Sequence, residues 1–184
     1  MAGSFGSSGS LDSLDRLAAQ LRVDDAARSR ARRASLAGQA AEEATLRGVL
    51  VDLGERGTAV RLELVDGRAT VGRVRHVGAD LVTVHGAEGR ESLVALAATA
   101  CVVPQVGDDR VTGDRAVTSD LTMVEALGWL AGDRPRIQVR TRGGTTTGGE
   151  LRSAGQDVAA LLLDGRPRRL VHVAVATVVE VLVG

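Results

Sequence analysis

The chain has 184 residues, 44% of them hydrophobic and 25% charged, and its 23 basic residues, all Arg, balance 23 Asp and Glu. A formal net charge of zero excludes a binder driven by bulk charge onto nucleic acid or an anionic membrane. One Phe, one Trp and no Tyr leave any core to aliphatic side chains, and the single Cys101 excludes an internal disulfide.

Residues 1–10 are rich in Gly and Ser and carry neither a basic region nor a long apolar one, so a disordered tail is expected and a signal peptide is not. No apolar run approaches the roughly 18 residues that span a bilayer, so no membrane partner is expected. From Leu11 the pattern turns helical. Leu11, Leu14, Leu17, Ala18 and Leu21 share one helix face. Asp24 and Asp25 are placed to start a second helix through the Ala- and Arg-rich stretch to Ala44. A third helix is expected over 42–56, with Leu46, Val49, Leu50 and Leu53 as its stripe and Gly57 at its end.

The period then changes to two. Val60, Leu62 and Leu64 alternate with Arg61 and Glu63, as in a half-buried strand. Asp66-Gly67 marks a hairpin. Four more strands are expected at 68–77, 81–85, 92–96 and 100–103. Residues 104–118 read as a linker broken by Pro and Gly. Ser119 or Asp120 is placed to cap a helix to Ala131 with Met123, Leu127 and Leu130 buried, and Ile137 and Val139 resume the strand alternation.

Adding 77 to a position in the first half gives a matching residue in the second. Leu50 maps to Leu127, Gly67 to Gly144, Gly72 to Gly149, Gly78 to Gly155, Asp80 to Asp157, Leu93 to Leu170, Val94 to Val171 and Val102 to Val179. Turn glycines and core positions in one ungapped register point to a duplicated unit. Gly72 and Gly149 stand mid-strand, where glycine marks a bend. The expected class is therefore α+β, mainly β: two tandem five-stranded small barrels, each preceded by a helix, plus an N-terminal helical segment. The expected organisation is a tail over 1–10, helices over 11–41, a helix and barrel over 42–103, a linker over 104–118, and a helix and barrel over 119–184.

On Val60-Arg61-Leu62-Glu63-Leu64, Gly67, Gly72-Arg73-Val74 and Val77-Gly78-Ala79-Asp80 the sequence resembles the Sm-like, SH3-related family of small β-barrels. The second copy reads Ile137-Gln138-Val139, Gly144, Gly149-Glu150-Leu151 and Gly155-Gln156-Asp157, and both copies close on apolar pieces, Leu93–Leu96 and Leu170–Val173. The resemblance implies the barrel fold and RNA binding in rings. The family's RNA-binding residues are not retained: there is no Asn to hold a base, and no Tyr or Phe on the strands to stack one.

Two Arg clusters are candidate contacts for nucleic acid or an acidic partner. Arg28 and Arg32 lie one helical turn apart beside Arg33, though Asp24, Asp25, Glu42 and Glu43 balance them as a solvated face. Arg166, Arg168 and Arg169 crowd a hairpin whose counterpart, 87–91, is nearly neutral. His76, His85 and His172 do not pair across the repeat and show no ligand spacing, so no metal and no cofactor is expected. No nucleophile elbow or phosphate loop is present, so no catalytic residue is assigned. Cys101 is expected buried in an apolar strand. Trp129 lies off the buried stripe of its helix, placed either to dock that helix on a barrel rim or to mark an interface. The chain reads as a non-enzymatic interaction or assembly protein whose partner is itself or another protein. The alternative is a nucleic-acid-associated regulator using the Arg-rich helix and loop.

Overall fold

The computed structural model describes residues 8–105, 113–116 and 119–184. The expected tail up to residue 7 and the linker residues 106–112 and 117–118 lie outside them, as do the side chains of the Leu11–Ala18 stripe. Residues 1–43 and 44–184 are separate compact units.

The first unit is one helix, α1 (Ser8–Glu42), where two were expected. Ala, Arg, Leu and Gln are strong helix formers, and no proline interrupts them. Asp25 does not start a new helix; its carboxylate takes the Arg28 guanidinium at 2.9 Å within the same one. Leu21 and Leu36 are exposed on this helix.

The second unit opens with α2 (Leu46–Glu55), capped by Thr45, whose hydroxyl accepts the Gly48 N–H at 2.9 Å. The helix buries Leu50 and Leu53 completely, each worth about 1.5–3 kcal/mol of burial. It packs on β2 (Ala69–Val77). The other strands of this half are β1 (Ala59–Leu64), β3 (Leu81–His85), β4 (Glu91–Ala95) and β5 (Thr99–Pro104). A second helix, α3 (Met123–Asp133), packs on β7 (Thr146–Ala154), with β6 (Arg136–Thr141), β8 (Val158–Leu163), β9 (Leu170–Ala174) and β10 (Val178–Val183) completing the second half. A capping box sets the start of α3: Thr122 takes the Glu125 N–H, and the Glu125 carboxylate takes the Thr122 N–H at 2.8 Å. Asp80, in the turn after β2, accepts the next free amide, that of Met123, at 2.7 Å.

The expectation of two closed barrels is overturned. All ten strands form one open antiparallel sheet in the order β5-β1-β2-β3-β4-β10-β6-β7-β8-β9. Closing either half would require its fourth strand to pair with its own fifth. A single 3-10 turn after β4 (Leu96–Ala98) instead carries β5 across to β1, and β4 pairs with β10 of the other half. A continuous seam replaces two closures.

The spacing of 77 holds from β1 and β6 through β3 and β8, including the two hairpin glycines Gly67 and Gly144, both at φ 79°. It does not hold further. Two residues are inserted before β9, one lengthening β8 relative to β3 and one the loop that follows, so β9 and β10 stand 79 residues after β4 and β5. The hydrogen bonds Leu96 N–H to Asp80 O and Val175 N–H to Asp157 O show the same change of spacing. The counterparts of Leu93, Val94 and Val102 are therefore His172, Val173 and Val181, and the ungapped register is corrected for the last two strands. The counterpart of Cys101 is Glu180.

Gly72 and Gly149 owe their place to close backbone approach. A Cβ at Gly72 would stand 2.4 Å from the His85 carbonyl oxygen, and one at Gly149 would stand 2.6 Å from that of Leu162.

Candidate functional site

The two halves of the sheet meet at the seam between β4 and β10. β10 pairs with β4 through Glu180↔Val94, Val181↔Leu93, Leu182↔Ser92 and Val183↔Glu91. On its other side Glu180 lies opposite Arg140 of β6. Both are drawn inside: Glu180 is 1% exposed, and its carboxylate forms an ion pair with the Arg140 guanidinium. The Thr70 hydroxyl, from β2 of the other half, donates to the same carboxylate at 2.6 Å. Burial pulls the Arg140 pKa below the ordinary arginine value; Asp66 works against this shift and Arg68 adds to it. The cluster opens on a cleft of about 330 Å³ with Thr70, Arg90, Ser92, Arg140 and Glu180 on its walls. The two charges pair while the Arg140 Nε has no hydrogen-bond partner, and the cluster ties β2, β6 and β10 together.

A wider cleft of about 560 Å³ lies beyond Arg90 and Leu182. Arg136 and Asp164 line it and meet fork to carboxylate, with Nη1 to Oδ1 at 2.7 Å. That hydrogen bond, and then the charge of Asp164, raise the Arg136 pKa.

The two ends of the sheet are strands with one unpaired side, β5 and β9. Gln105 donates its N–H inward to Ala59 O, so strand alternation turns the N–H and C=O of Val102 outward. Arg169 O accepts the Leu163 N–H inward, which turns Leu170 and His172 outward in the same way. The side chains on these edges are uncovered. Val103 is 38% and Leu170 is 52% exposed, while Val178, Val179 and Val181 of the paired β10 are at most 1% exposed.

The candidate Arg residues fall in two separate places. Arg28, Arg32 and Arg33 are exposed on α1, and Arg166, Arg168 and Arg169 are exposed on the loop between β8 and β9. Trp129 is 87% exposed, so it does not dock α3 onto the sheet. Cys101 is exposed on β5, which corrects its expected burial: an apolar end strand has no neighbour on its outer side. The His76 ring meets the Ser119 hydroxyl at 2.8 Å, and that hydroxyl accepts the Leu121 N–H at 3.3 Å, as a turn cap does. Among the described residues no three His, Cys, Asp or Glu side chains converge as metal ligands, and no helix is long and apolar enough to cross a membrane.

The Glu180–Arg140–Thr70 cluster had a signal in the sequence: Glu180 is the one charge within the apolar run Val178–Val183. Its partners come from strands 40 and 110 residues away in the chain, which no local pattern connects. Compared with known proteins, the chain matches no family model, no curated protein and no solved structure, so its function has to be argued from the geometry above.

Proposed function

We propose that the chain is an interaction and assembly protein that binds by strand addition at the two open edges of its sheet. The observation that carries this reading is the contrast between the covered β10 and the uncovered β5 and β9. Their outward N–H and C=O groups and exposed Val103 and Leu170 form a template for another strand. Neither edge is blunted by charge along its length; only Pro104 interrupts β5, at its last residue.

Proline at an outward-facing position removes the donor offered to a partner and leaves the inward ladder intact. The test compares the full chain with Val102→Pro and His172→Pro as bait in lysate treated with and without nuclease, and by sedimentation over a wide concentration range. Loss of bound protein or of self-association in either variant, with thermal unfolding little changed, supports edge binding. Retention of every partner by both variants overturns it. So does bound material that disappears with nuclease and ignores the prolines, which assigns the binding to nucleic acid on the Arg clusters.

A further inference from the structure

Resting on that reading, we propose that the strand added at each free edge comes from a second copy of this chain: β9 of one copy pairs with β5 of the next, head to tail, in the register of the internal seam.

The seam supplies the template. There a fourth strand, β4, pairs with a last strand, β10. By element order β9 stands in the second half where β4 stands in the first, and β5 stands where β10 does. The two edges left free are therefore the same kinds of edge that join inside the molecule. The backbone agrees. Gln105 N–H to Ala59 O is mirrored by Gly184 N–H to Arg136 O, so β5 and β10 turn equivalent amides outward. Gly86 N–H to Arg90 O is mirrored by Leu163 N–H to Arg169 O, which does the same for β4 and β9.

Carrying the seam register across places Cys101 opposite Val173, Val102 opposite His172, Val103 opposite Val171 and Pro104 opposite Leu170. Val102 and His172 exchange two hydrogen bonds, as the outward groups of Val181 and Leu93 do. The joint covers Val103 and Leu170, the exposed apolar side chains of the two edges. Two features of the seam are absent. Pro104 stands at an outward position without an N–H to give Leu170, where Val183 has one for Glu91. Where the seam has Arg140 and Glu180, the free edge has Glu63 and Cys101, which pair across β1 and β5. The buried ion pair thus belongs to the internal joint alone, and the joint between copies lacks that fixed register. Because it unites two different patches, each added copy still offers one free edge at either end, and growth stops only if the assembly closes.

Cysteine placement tests the register. Cys101 and position 173 would form a non-hydrogen-bonded pair, with Cα atoms about 4.5 Å apart, within disulfide reach. Position 171 lies two residues further along, roughly 7 Å away, beyond that reach. The full-length Val173→Cys chain is oxidised gently and run without reductant, with wild type and Val171→Cys as controls. The expected result is a ladder of covalent multimers for Val173→Cys, while both controls stop at Cys101-linked dimers. Because Val173 is 8% exposed, a second variant, Cys101→Ser with Val103→Cys and Val171→Cys, tests the neighbouring, more exposed pair and should also form a ladder. Absence of a ladder in both variants, or an equal ladder in Val171→Cys, overturns the proposal. If both ladders fail while Val102→Pro and His172→Pro still release other bound proteins, the second copy is the wrong partner and edge binding stands. If the prolines change nothing either, both readings fall.

Discussion

Replacing Arg140 by Met leaves Glu180 as a carboxylate 1% exposed, without its counter-charge and with only the Thr70 hydroxyl to bond. Removing one partner of a buried pair typically costs about 3–5 kcal/mol. A second route sets a ceiling at neutral pH, because the carboxyl can take up a proton instead of staying charged. Each pH unit above the usual glutamate value of about 4.3 costs about 1.4 kcal/mol, or roughly 4 kcal/mol at pH 7. Near pH 5 the same step costs about 1 kcal/mol. The sign follows from linkage: without Arg140 the folded-state pKa of Glu180 is raised, so its contribution is most favourable at low pH and is lost as pH rises. R140M should therefore unfold in urea with a deficit of about 3–4 kcal/mol against wild type at neutral pH, shrinking as the buffer is brought toward pH 5. Circular dichroism of the sheet at both pH values reads this directly. A deficit under about 1 kcal/mol at pH 7, or one that does not shrink on acidification, would refute the account of the seam.

Three further outcomes follow from contacts described above. Ala at Gly72 or Gly149 should destabilise by about 1–3 kcal/mol, since the added carbon meets backbone that cannot swing aside. G148A, whose nearest contact would be 3.6 Å, should stay within about 1 kcal/mol in the same urea titrations. The Glu125 carboxylate is held below the ordinary glutamate range by hydrogen bonds from the Thr122 N–H and then its hydroxyl. Its capping contribution is thus present above that range and fades as pH falls through the lowered value, so the melting-temperature gap between wild type and E125Q should close in acid. Finally, E63R with C101E gives the free edge the two charges that the seam carries at Arg140 and Glu180. Sedimentation should show tighter self-association; an unchanged dissociation constant would indicate that the seam is not the template.

Local order was largely legible from the residues. The stripe of Leu50 and Leu53 located α2, and the alternation of Val60, Leu62 and Leu64 located β1 and its buried face. The mid-strand glycines Gly72 and Gly149, expected to mark bends, instead serve close backbone approaches, and the bulges fall further along, between Val74 and His76 and between Leu151 and Ser153. The errors lie where the physics is non-local or degenerate. In a Val- and Leu-rich strand a shift of two residues keeps every side chain on its face. Leu93 therefore aligned with the identical Leu170 rather than with its true counterpart His172, which hides the two-residue insertion before β9. Asp24-Asp25 suggested a helix start, but nothing between Val23 and Ala26 breaks the helix already formed. Openness was illegible for a different reason. Alternation shows which face of a strand is buried and leaves unspecified which neighbour takes its edge, so β4 could have closed on β5 or reached for β10. The burial expected of Cys101 failed on the same point. The seam cluster joins Thr70, Arg140 and Glu180, whose only common property in the sequence is polarity.

The joined sheet also ties the two hydrophobic cores to each other. Val179, from the last strand, is buried among Leu50, Leu62 and Val82 of the first half, while Leu81 and Leu93 are buried among Leu127, Leu151 and Val181 of the second. Each half thus fills a hole in the other's interior. Severing the chain within 106–112 would leave two fragments that each lack part of a wall, and they should regain a cooperative fold only on mixing. The molecule should thus behave as a split pair already fused, with Gly113, Arg115 and Ser119, described residues of the link between the halves, bonded to the first half.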